Sequence, residues 1–128
     1  NYKKTPVKCA HWSDEIVDIK CGKFHSLMLT SKQQVFSCGN NEYGQLSRST
    51  ETKSSNGTYS PTFELILSLK NIHRIECGNF FSMCIDIDGN FFVFGLNSNG
   101  QLGLGDIYHI PNATKHPSLS KVIDISSG

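Results

Sequence analysis

A segment of 31 residues occurs twice in this chain, at 16–46 and again at 72–102, with no gap between the copies. At the constant offset of 56 residues, 12 of the 31 positions are identical. The identical pairs are Ile16/Ile72, Ile19/Ile75, Cys21/Cys77, Gly22/Gly78, Phe24/Phe80, Ser26/Ser82, Phe36/Phe92, Gly39/Gly95, Asn41/Asn97, Gly44/Gly100, Gln45/Gln101 and Leu46/Leu102. Periods of this length are typical of arrays in which one supersecondary unit stacks on the next. The repeat therefore predicts a stacked architecture and argues against a catalytic domain.

Within one period, short apolar runs alternate with turn residues, which predicts four β-strands. The run 91–94 (Phe-Phe-Val-Phe) is apolar on both faces, as in a small sheet that is covered from both sides. Asp88-Gly89 lies between two such runs and predicts a type I′ hairpin, in which both central residues need positive φ. The first copy has Lys32-Gln33 there, which predicts a looser turn or a turn of another type.

These patterns predict an all-β fold, a partial β-propeller of four-stranded antiparallel blades. A strand that begins with proline is expected to open each unit, at 6–10, 61–65 and 111–114. The predicted boundaries are a blade at 6–46, a polar loop at 47–60, a blade at 61–102, a loop at 103–110 and the start of a third blade at 111–128.

The motifs resemble those of a known repeat family. The second copy carries Cys77-Gly78, Ser82, Asp88-Gly89, Phe92–Gly95 and Asn97-Ser-Asn-Gly-Gln-Leu-Gly-Leu-Gly-Asp106, and the first carries His25-Ser26, Gly39 and Asn41–Leu46. This pattern is similar to the repeat of the regulator of chromosome condensation family, and it covers nearly the whole chain. The resemblance implies a propeller that usually closes with seven blades. The remaining blades are therefore expected elsewhere in the same natural chain or, less favoured, in further copies of it.

Charge and cysteine content exclude several classes of partner and compartment. A net charge of +1 predicts neither direct nucleic-acid binding nor attraction to an anionic membrane, and the longest apolar run is far too short to span a bilayer. The five cysteines are odd in number and lack framework spacing. Reduced thiols in an intracellular protein are expected, in the cytoplasm or nucleus and with a cytoskeletal location also open.

No residue pattern predicts a catalytic, cofactor or metal site. His25 and Ser26 are adjacent in a predicted strand, so their side chains point to opposite faces and favour a structural polar pair over a nucleophile and its base. Cys9 and His11 lack the spacing of a zinc site. The glycines at 100–105 are turn formers rather than a phosphate loop, since no helix pattern follows them.

Two loops are the predicted partner-binding regions. The polar loop 47–60 is six residues longer than the corresponding loop 103–110, and long loops on a rigid scaffold often carry binding residues. The candidate partner-binding residues are the charged and aromatic residues of the two loops, namely Arg48, Glu51, Lys53, Tyr59, Tyr108 and His109.

The predicted function is a non-catalytic platform that binds another protein, as part of a larger eukaryotic scaffold or regulatory protein. Two alternatives remain open. The resemblance implies guanine-nucleotide exchange on a small GTPase, the activity of the family's founding member. It is also consistent with a regulatory propeller in a ubiquitin ligase or kinase whose catalytic domain lies outside this chain.

Overall fold

The computed structural model describes residues 14–48, 53–54 and 57–127, which form two antiparallel β-sheets. The strands are β1 (Ile16–Cys21), β2 (His25–Thr30), β3 (Val35–Asn40), β4 (Lys53–Ser54), β5 (Gly57–Leu65), β6 (Ile72–Cys77), β7 (Phe81–Asp86), β8 (Phe91–Gly95) and β9 (Ile110–Lys115). In the described ranges, no helix is long and apolar enough to cross a membrane. The strand predicted at 6–10 lies outside the described residues.

The two sheets have the same strand order and the same irregularities. The first follows the order β1-β2-β3-β5, with the short β4 at its outer edge, and the second follows β6-β7-β8-β9. Cys21 pairs with Ser26 in the first sheet just as Cys77 pairs with Ser82 in the second. The register shifts at the second residue of β1 and of β6 alike. The sequence repeat is thus a repeat of backbone structure, and the predicted four-stranded blades are confirmed.

The predicted boundaries between blades were wrong by one strand. Residues 61–65 and 111–114 were expected to open the second and third blades. Instead β5 pairs with β3, with Leu65 opposite Phe36, and β9 pairs with β8, with Lys115 opposite Phe92. The outer strand of each sheet therefore comes from the residues that follow that sheet's Gly-Gln-Leu motif. The first sheet runs from 16 to 65 and the second from 72 to 115.

The segment 47–60 is not one continuous loop, contrary to the prediction. Its last residues, 57–60, belong to β5, and β4 pairs with them through Lys53 opposite Thr58. Residues 49–52 and 55–56 lie outside the described ranges. The polar sequence of this segment concealed an edge hairpin, because an outer strand that faces solvent needs no apolar run.

Residues 122–127 occupy the place where a third inner strand would start. The Val122 amide donates to the Gly89 carbonyl at 3.0 Å, and Ile72 donates to Gln33 in the same way at 3.1 Å. The Ser127 hydroxyl donates to the Cys77 carbonyl. Residues 122–127 therefore follow the second sheet as the second sheet follows the first.

The core lies between the two sheets. This packing buries β6, which is the inner strand of the second sheet as β1 is of the first. Leu27 and Leu29 of the first sheet pack with Ile72 and Ile75 of the second. The matching Ile16 is 39% exposed, whereas Ile72 is fully buried. A second cluster, which includes Ile85 and Val93, covers the far side of the second sheet together with partly buried residues of 104–125. The second sheet is therefore apolar on both faces, as its sequence predicts.

The two hairpin turns have one geometry, and the type I′ prediction for the second copy is wrong. In the second copy the Gly89 amide donates to the Asp86 carbonyl at 3.1 Å, and Gly89 has φ 82°. Asp88 does not have positive φ, so the turn is not type I′. In the first copy Gln33 donates to Thr30 at 2.9 Å and has φ 61°. Both are three-residue loops that end in a left-handed residue, and Gln33 adopts that conformation without being glycine.

We expect Gln33→Gly to raise the free energy of unfolding of the intact protein by roughly 0.5–1 kcal/mol. The substitution removes the left-handed strain of a residue with a Cβ, and the greater freedom of glycine in the unfolded chain offsets part of that gain. Urea denaturation measures the change. The reciprocal control, Gly89→Gln, is expected to destabilise, because a Cβ there would lie 2.6 Å from the Lys121 Cα. A Gln33→Gly protein less stable than the wild type would contradict this account.

Candidate functional site

A buried hydrogen-bond chain joins the two sheets. His25 Nε2 lies 2.9 Å from the Ser82 hydroxyl of the second sheet. That hydroxyl donates to the Gln45 carbonyl at 2.9 Å, so it accepts from His25, whose proton is therefore on Nε2. All three residues are buried. The chain links strands β2 and β7 to the loop after β3 and fixes the two sheets relative to one another.

His25 and Ser26 do not form a nucleophile and base. The Ser26 hydroxyl donates to the Cys21 sulfur at 3.4 Å, whereas His25 turns to Ser82. The imidazole also lies directly over Gly22, where a Cβ would stand 2.2 Å from its Cε1. Phe81 covers Gly78 in the second copy at nearly the same distance. The slot thus needs a flat ring over a glycine, which explains why phenylalanine can replace histidine there.

Burial lowers the pKa of His25 from 6.5 to about 4. The residue is 3% exposed, so the charged imidazole loses solvation, and a hydrogen bond with the Phe81 backbone, which raises the pKa, offsets only part of that effect. His25 is therefore neutral at physiological pH. In this setting it is a structural hydrogen-bond donor.

Five side chains form a continuous group at the junction of the two sheets, which we call the aromatic surface: the exposed Lys23, Phe24 and His109 and the half-buried Tyr43 and Phe80. The Phe24 and Phe80 rings are 6.1 Å apart, Tyr43 contacts Phe80 at 5.6 Å, and His109 contacts Tyr43 at 5.0 Å. The Lys23 ammonium lies 5.5 Å from the Phe24 centroid and 5.8 Å from that of Phe80. Phe24 is 59% exposed.

A cleft of about 430 Å³ continues the aromatic surface outward between the sheets. Tyr43, His109 and Pro111 line it, together with the polar residues Asn41 and Asn112. Its walls are joined directly, because the Ala113 amide donates to the Ser47 hydroxyl at 2.6 Å. Gly44 packs against Pro111 so closely that a Cβ would lie 2.2 Å from the Pro111 Cα. The cleft is therefore built into the contact between the sheets.

Identical Asn and Gln residues hold the loops beside the cleft. Asn41 accepts from the Leu46 amide at 3.0 Å, and Asn97 accepts from Leu102 at the same distance. The Gln45 side chain accepts from the Tyr43 amide, just as Gln101 accepts from Asn99. The repeated polar residues thus determine the conformation of the loops. The variable residues between them, such as Tyr43, provide side chains of the aromatic surface.

Arg48 was predicted to bind a partner, but its guanidinium is occupied within the first sheet. It donates to Ser37 and to Ser60, at 3.0 and 2.6 Å, and pairs with Glu64 at 2.8 Å. The Arg48 carbonyl accepts from the Asn41 side chain at 2.8 Å, as the Asp106 carbonyl accepts from Asn97 at 3.0 Å, so Arg48 takes the place of the missing end of the motif. Arg48 lines the cleft as a structural residue.

The other predicted residues fall into three groups. Tyr108 and Tyr59 are exposed, at 75% and 39%. His109 joins the aromatic surface and lines the same cleft as Arg48, so the two predicted loops do meet. Glu51 lies outside the described residues, and Lys53 lies in β4, where the structure describes only the backbone.

Sequence reasoning missed Lys23, Phe24, Tyr43 and Phe80. One signal was present: a large aromatic side chain repeats at 24 and 80, directly after the turn between two strands. Exposure of Phe24 depends on how the sheets stack, which the repeat pattern does not specify.

Two family models of the regulator of chromosome condensation (RCC1) repeat match this sequence. One matches residues 16–45 and 72–101, and the other matches residues 32–85 and 88–128. The human probable E3 ubiquitin-protein ligase HERC4 is 36% identical over 118 residues, which are 89% of this chain and 11% of HERC4. Human protein RCC2 is 38% identical over 88 residues, which are 69% of this chain and 16% of RCC2. The chain thus spans a small part of either relative.

Solved structures share the architecture. Prp20p from Saccharomyces cerevisiae, whose crystal structure was described with its binding properties to Gsp1p and histones, superposes with a TM-score of 0.79 at 18% identity. The match covers 86% of this chain and 27% of Prp20p. Human WBSCR16 superposes with a TM-score of 0.66 at 31% identity, over 78% of this chain and 25% of its own. The predicted propeller fold is confirmed.

The lowered pKa of His25 predicts a specific loss of stability in acid. Above pH 6.5 the imidazole is neutral in both the folded and the unfolded chain. As the pH falls from 6.5 to 4, the unfolded chain takes up the proton first, so the free energy of unfolding falls. Between pH 7 and pH 4.5, the wild type should lose about 2–3 kcal/mol more than His25→Phe, the residue of the equivalent slot.

Urea denaturation of the intact protein at the two pH values measures this difference. Carboxylates titrate in both proteins, so the comparison with His25→Phe removes their contribution. Equal losses for the wild type and His25→Phe would show that His25 is not buried as a neutral group.

Proposed function

This chain belongs to the regulator of chromosome condensation repeat family, and on that premise we propose that it forms part of a non-catalytic β-propeller that binds another protein. The single observation that supports this function is the aromatic surface. Aromatic side chains are enriched at the centres of protein interfaces, where they bury much area with few rotatable bonds. Within the group, the Phe24 ring is more than half exposed.

The buried polar groups of the described residues support a structural role over a catalytic one. His25 bonds to Ser82, and His116 bonds to the Gly103 carbonyl at 2.9 Å while its Nδ1 accepts from backbone amides. Burial raises the pKa of Cys77 to about 12, which keeps the thiol protonated and weakly nucleophilic. These groups serve the fold and leave binding to the loops.

The uncovered inner strand of the first sheet supports the presence of a further blade. Ile19 is 50% exposed, whereas its repeat partner Ile75 is 3% exposed because the first sheet covers it. Covering a large aliphatic side chain contributes about 1.5–3 kcal/mol. We propose that another blade, from the same natural chain or from a further copy, packs on this strand.

An intracellular location, in the cytoplasm or nucleus, is part of the proposal. The four cysteines that the structure describes are free thiols. Cys21 and Cys77 are the last residues of β1 and β6, and Cys84 lies in β7. Unpaired thiols are usual in reducing compartments.

Two other functions have specific support and are tested separately. Fold similarity to Prp20p, described with its binding to Gsp1p, favours exchange on a small GTPase. Similarity to HERC4 favours a propeller attached to a ubiquitin ligase domain outside this chain. Release of labelled GDP from small GTPases at catalytic ratios of the intact protein would establish exchange. Ubiquitin transfer that is lost when a domain outside residues 1–128 is removed would establish the ligase arrangement.

We expect site-specific photocross-linking to capture a protein at the aromatic surface. A photoreactive phenylalanine analogue placed at Phe24 in the intact protein, in cells, should yield a discrete cross-linked species. The matched control is the same analogue at Leu67, which is 78% exposed and outside the aromatic surface. Identification of the species by mass spectrometry completes the measurement. Equal cross-linking at both positions, or none at Phe24, would contradict the proposed binding surface.

A further inference from the structure

From the charge and shape of the aromatic surface, we propose that it receives an acidic protein segment. A carboxylate of the segment pairs with Lys23, and an aromatic or large aliphatic side chain enters the cleft beside Tyr43. The inference rests on the proposed function, since it presumes a protein partner. It adds the chemistry of that partner and the direction in which the segment lies.

Lys23 supplies the positive end of the surface. Its ammonium stands over the Phe24 and Phe80 rings, each within the range of a cation–π contact. Among the salt bridges between described residues, none involves Lys23. The residue is exposed, so the ammonium protons that do not face the rings are open to an acceptor. A carboxylate can therefore pair with Lys23 while the rings hold the lysine in place.

The acidic residues near the aromatic surface determine at which end the acidic group of a bound segment lies. Glu76 lines the recess next to Lys23, and its carboxylate accepts from the Cys77 amide instead of pairing with Lys23. Glu42 is exposed and lines the cleft at the other end of the aromatic surface. A carboxylate in the cleft would face Glu42, whereas one at Lys23 meets the cation. The acidic group of a bound segment is therefore directed to Lys23.

The cleft suits an uncharged anchor. Its volume of about 430 Å³ lies in the range of pockets that hold a small organic group. Tyr43 and Pro111 form the apolar part of the wall, and Asn112 offers an amide to the backbone of a segment, whereas the Asn41 amide is bonded to Leu46 and Arg48. The cation of Arg48, which also lines the cleft, is already bonded to Glu64 and Ser60 and does not attract a second carboxylate.

The distance between the two ends predicts a spacing. Phe80 alone separates Lys23 from Tyr43, with contacts of 5.8 and 5.6 Å. Laid end to end, these span roughly 11 Å, and an extended peptide rises about 3.3 Å per residue. The acidic residue and the anchor of the segment should therefore be separated by two to four positions.

A single-stranded nucleic acid is the other polymer that binds aromatic side chains beside a cation. Such binding needs a groove with several cations along the backbone. Here Lys23 is the one cation of the aromatic surface, Glu76 and Glu42 line the recesses at its two ends, and the whole chain has a net charge of +1. The balance of charge therefore favours a protein segment.

The test is selection of random twelve-residue peptides, displayed on phage, against the intact protein. Peptides that bind the wild type should be enriched in Asp or Glu placed two to four positions from Trp, Phe or Leu. Selection against Lys23→Glu should lose this pattern and favour Lys or Arg at the same position. Lys70→Glu is the matched control, because Lys70 is exposed and is not part of the aromatic surface. It should select the same acidic peptides as the wild type.

The best selected peptide then provides the quantitative measurement. Replacing its acidic residue with the neutral amide should weaken binding about 5–10-fold in the wild type and leave binding to Lys23→Glu unchanged or stronger. Tyr43→Ala should weaken the peptide that keeps its anchor and have little effect on one whose anchor is alanine. Both results would support the proposed orientation.

Three outcomes would overturn the inference. They are enrichment without preference for acidic residues, no enrichment, and Lys23-dependent binding of a twelve-nucleotide oligothymidylate in place of peptides. Photocross-linking at Phe24 separates these failures from failure of the proposed function. A captured protein together with any of the three would reject the acidic segment and keep the protein-binding platform.

Discussion

Burial of one sheet by the next is the constraint on which the rest of this structure depends. A four-stranded sheet with apolar side chains on both faces cannot shield itself, and Ile72 and Ile75 are buried only because Leu27 and Leu29 cover them. Unspecific apolar contact would allow the sheets to slide. The bonds from His25 to Ser82 and from Ser82 to Gln45 remove that freedom, because a slipped pair would leave polar groups buried without partners. Packing thus supplies the stability, and the buried polar chain supplies the register between sheets.

The aromatic surface follows from the same contact. No single blade carries it: Phe24 and Tyr43 come from the first repeat, and Phe80 and His109 come from the second. The positions of these side chains are therefore fixed by how the sheets stack, and Asn41, Gln45 and their repeat partners keep the supporting loops in shape. A surface assembled from two rigid units is already organised before a partner arrives. Association then requires little ordering of the loops, which lowers its entropic cost.

The repeat in the sequence was enough to predict the three strands that each copy contains and the propeller architecture. It did not reveal at which residue each sheet begins and ends, because a sequence with period 56 is equally periodic from any starting residue. Only the pairing of β5 with β3 shows where a sheet ends. The edge strand β4 and residues 57–60 of β5 were not predicted, because an exposed edge needs few apolar residues. Arg48 looked like a surface charge, since its partners Ser37 and Glu64 are distant in sequence. The aromatic surface required two elements whose separation depends on tertiary packing, so local patterns could not predict it.

The offset between repeat and sheet has a consequence for how such an array can grow. Each sheet takes its outer strand from the residues after its own Gly-Gln-Leu motif, so a boundary drawn at the start of a sequence repeat passes between strands of one sheet. Even so, inserting one full period at any residue of the array leaves every sheet complete. The insertion divides one sheet, and the inserted copy supplies the missing strands to each of its two parts. What matters for a duplicated segment is its length, not where it begins. Gene rearrangement can therefore add blades without finding a domain border, and a change of length by part of a period would leave a sheet incomplete.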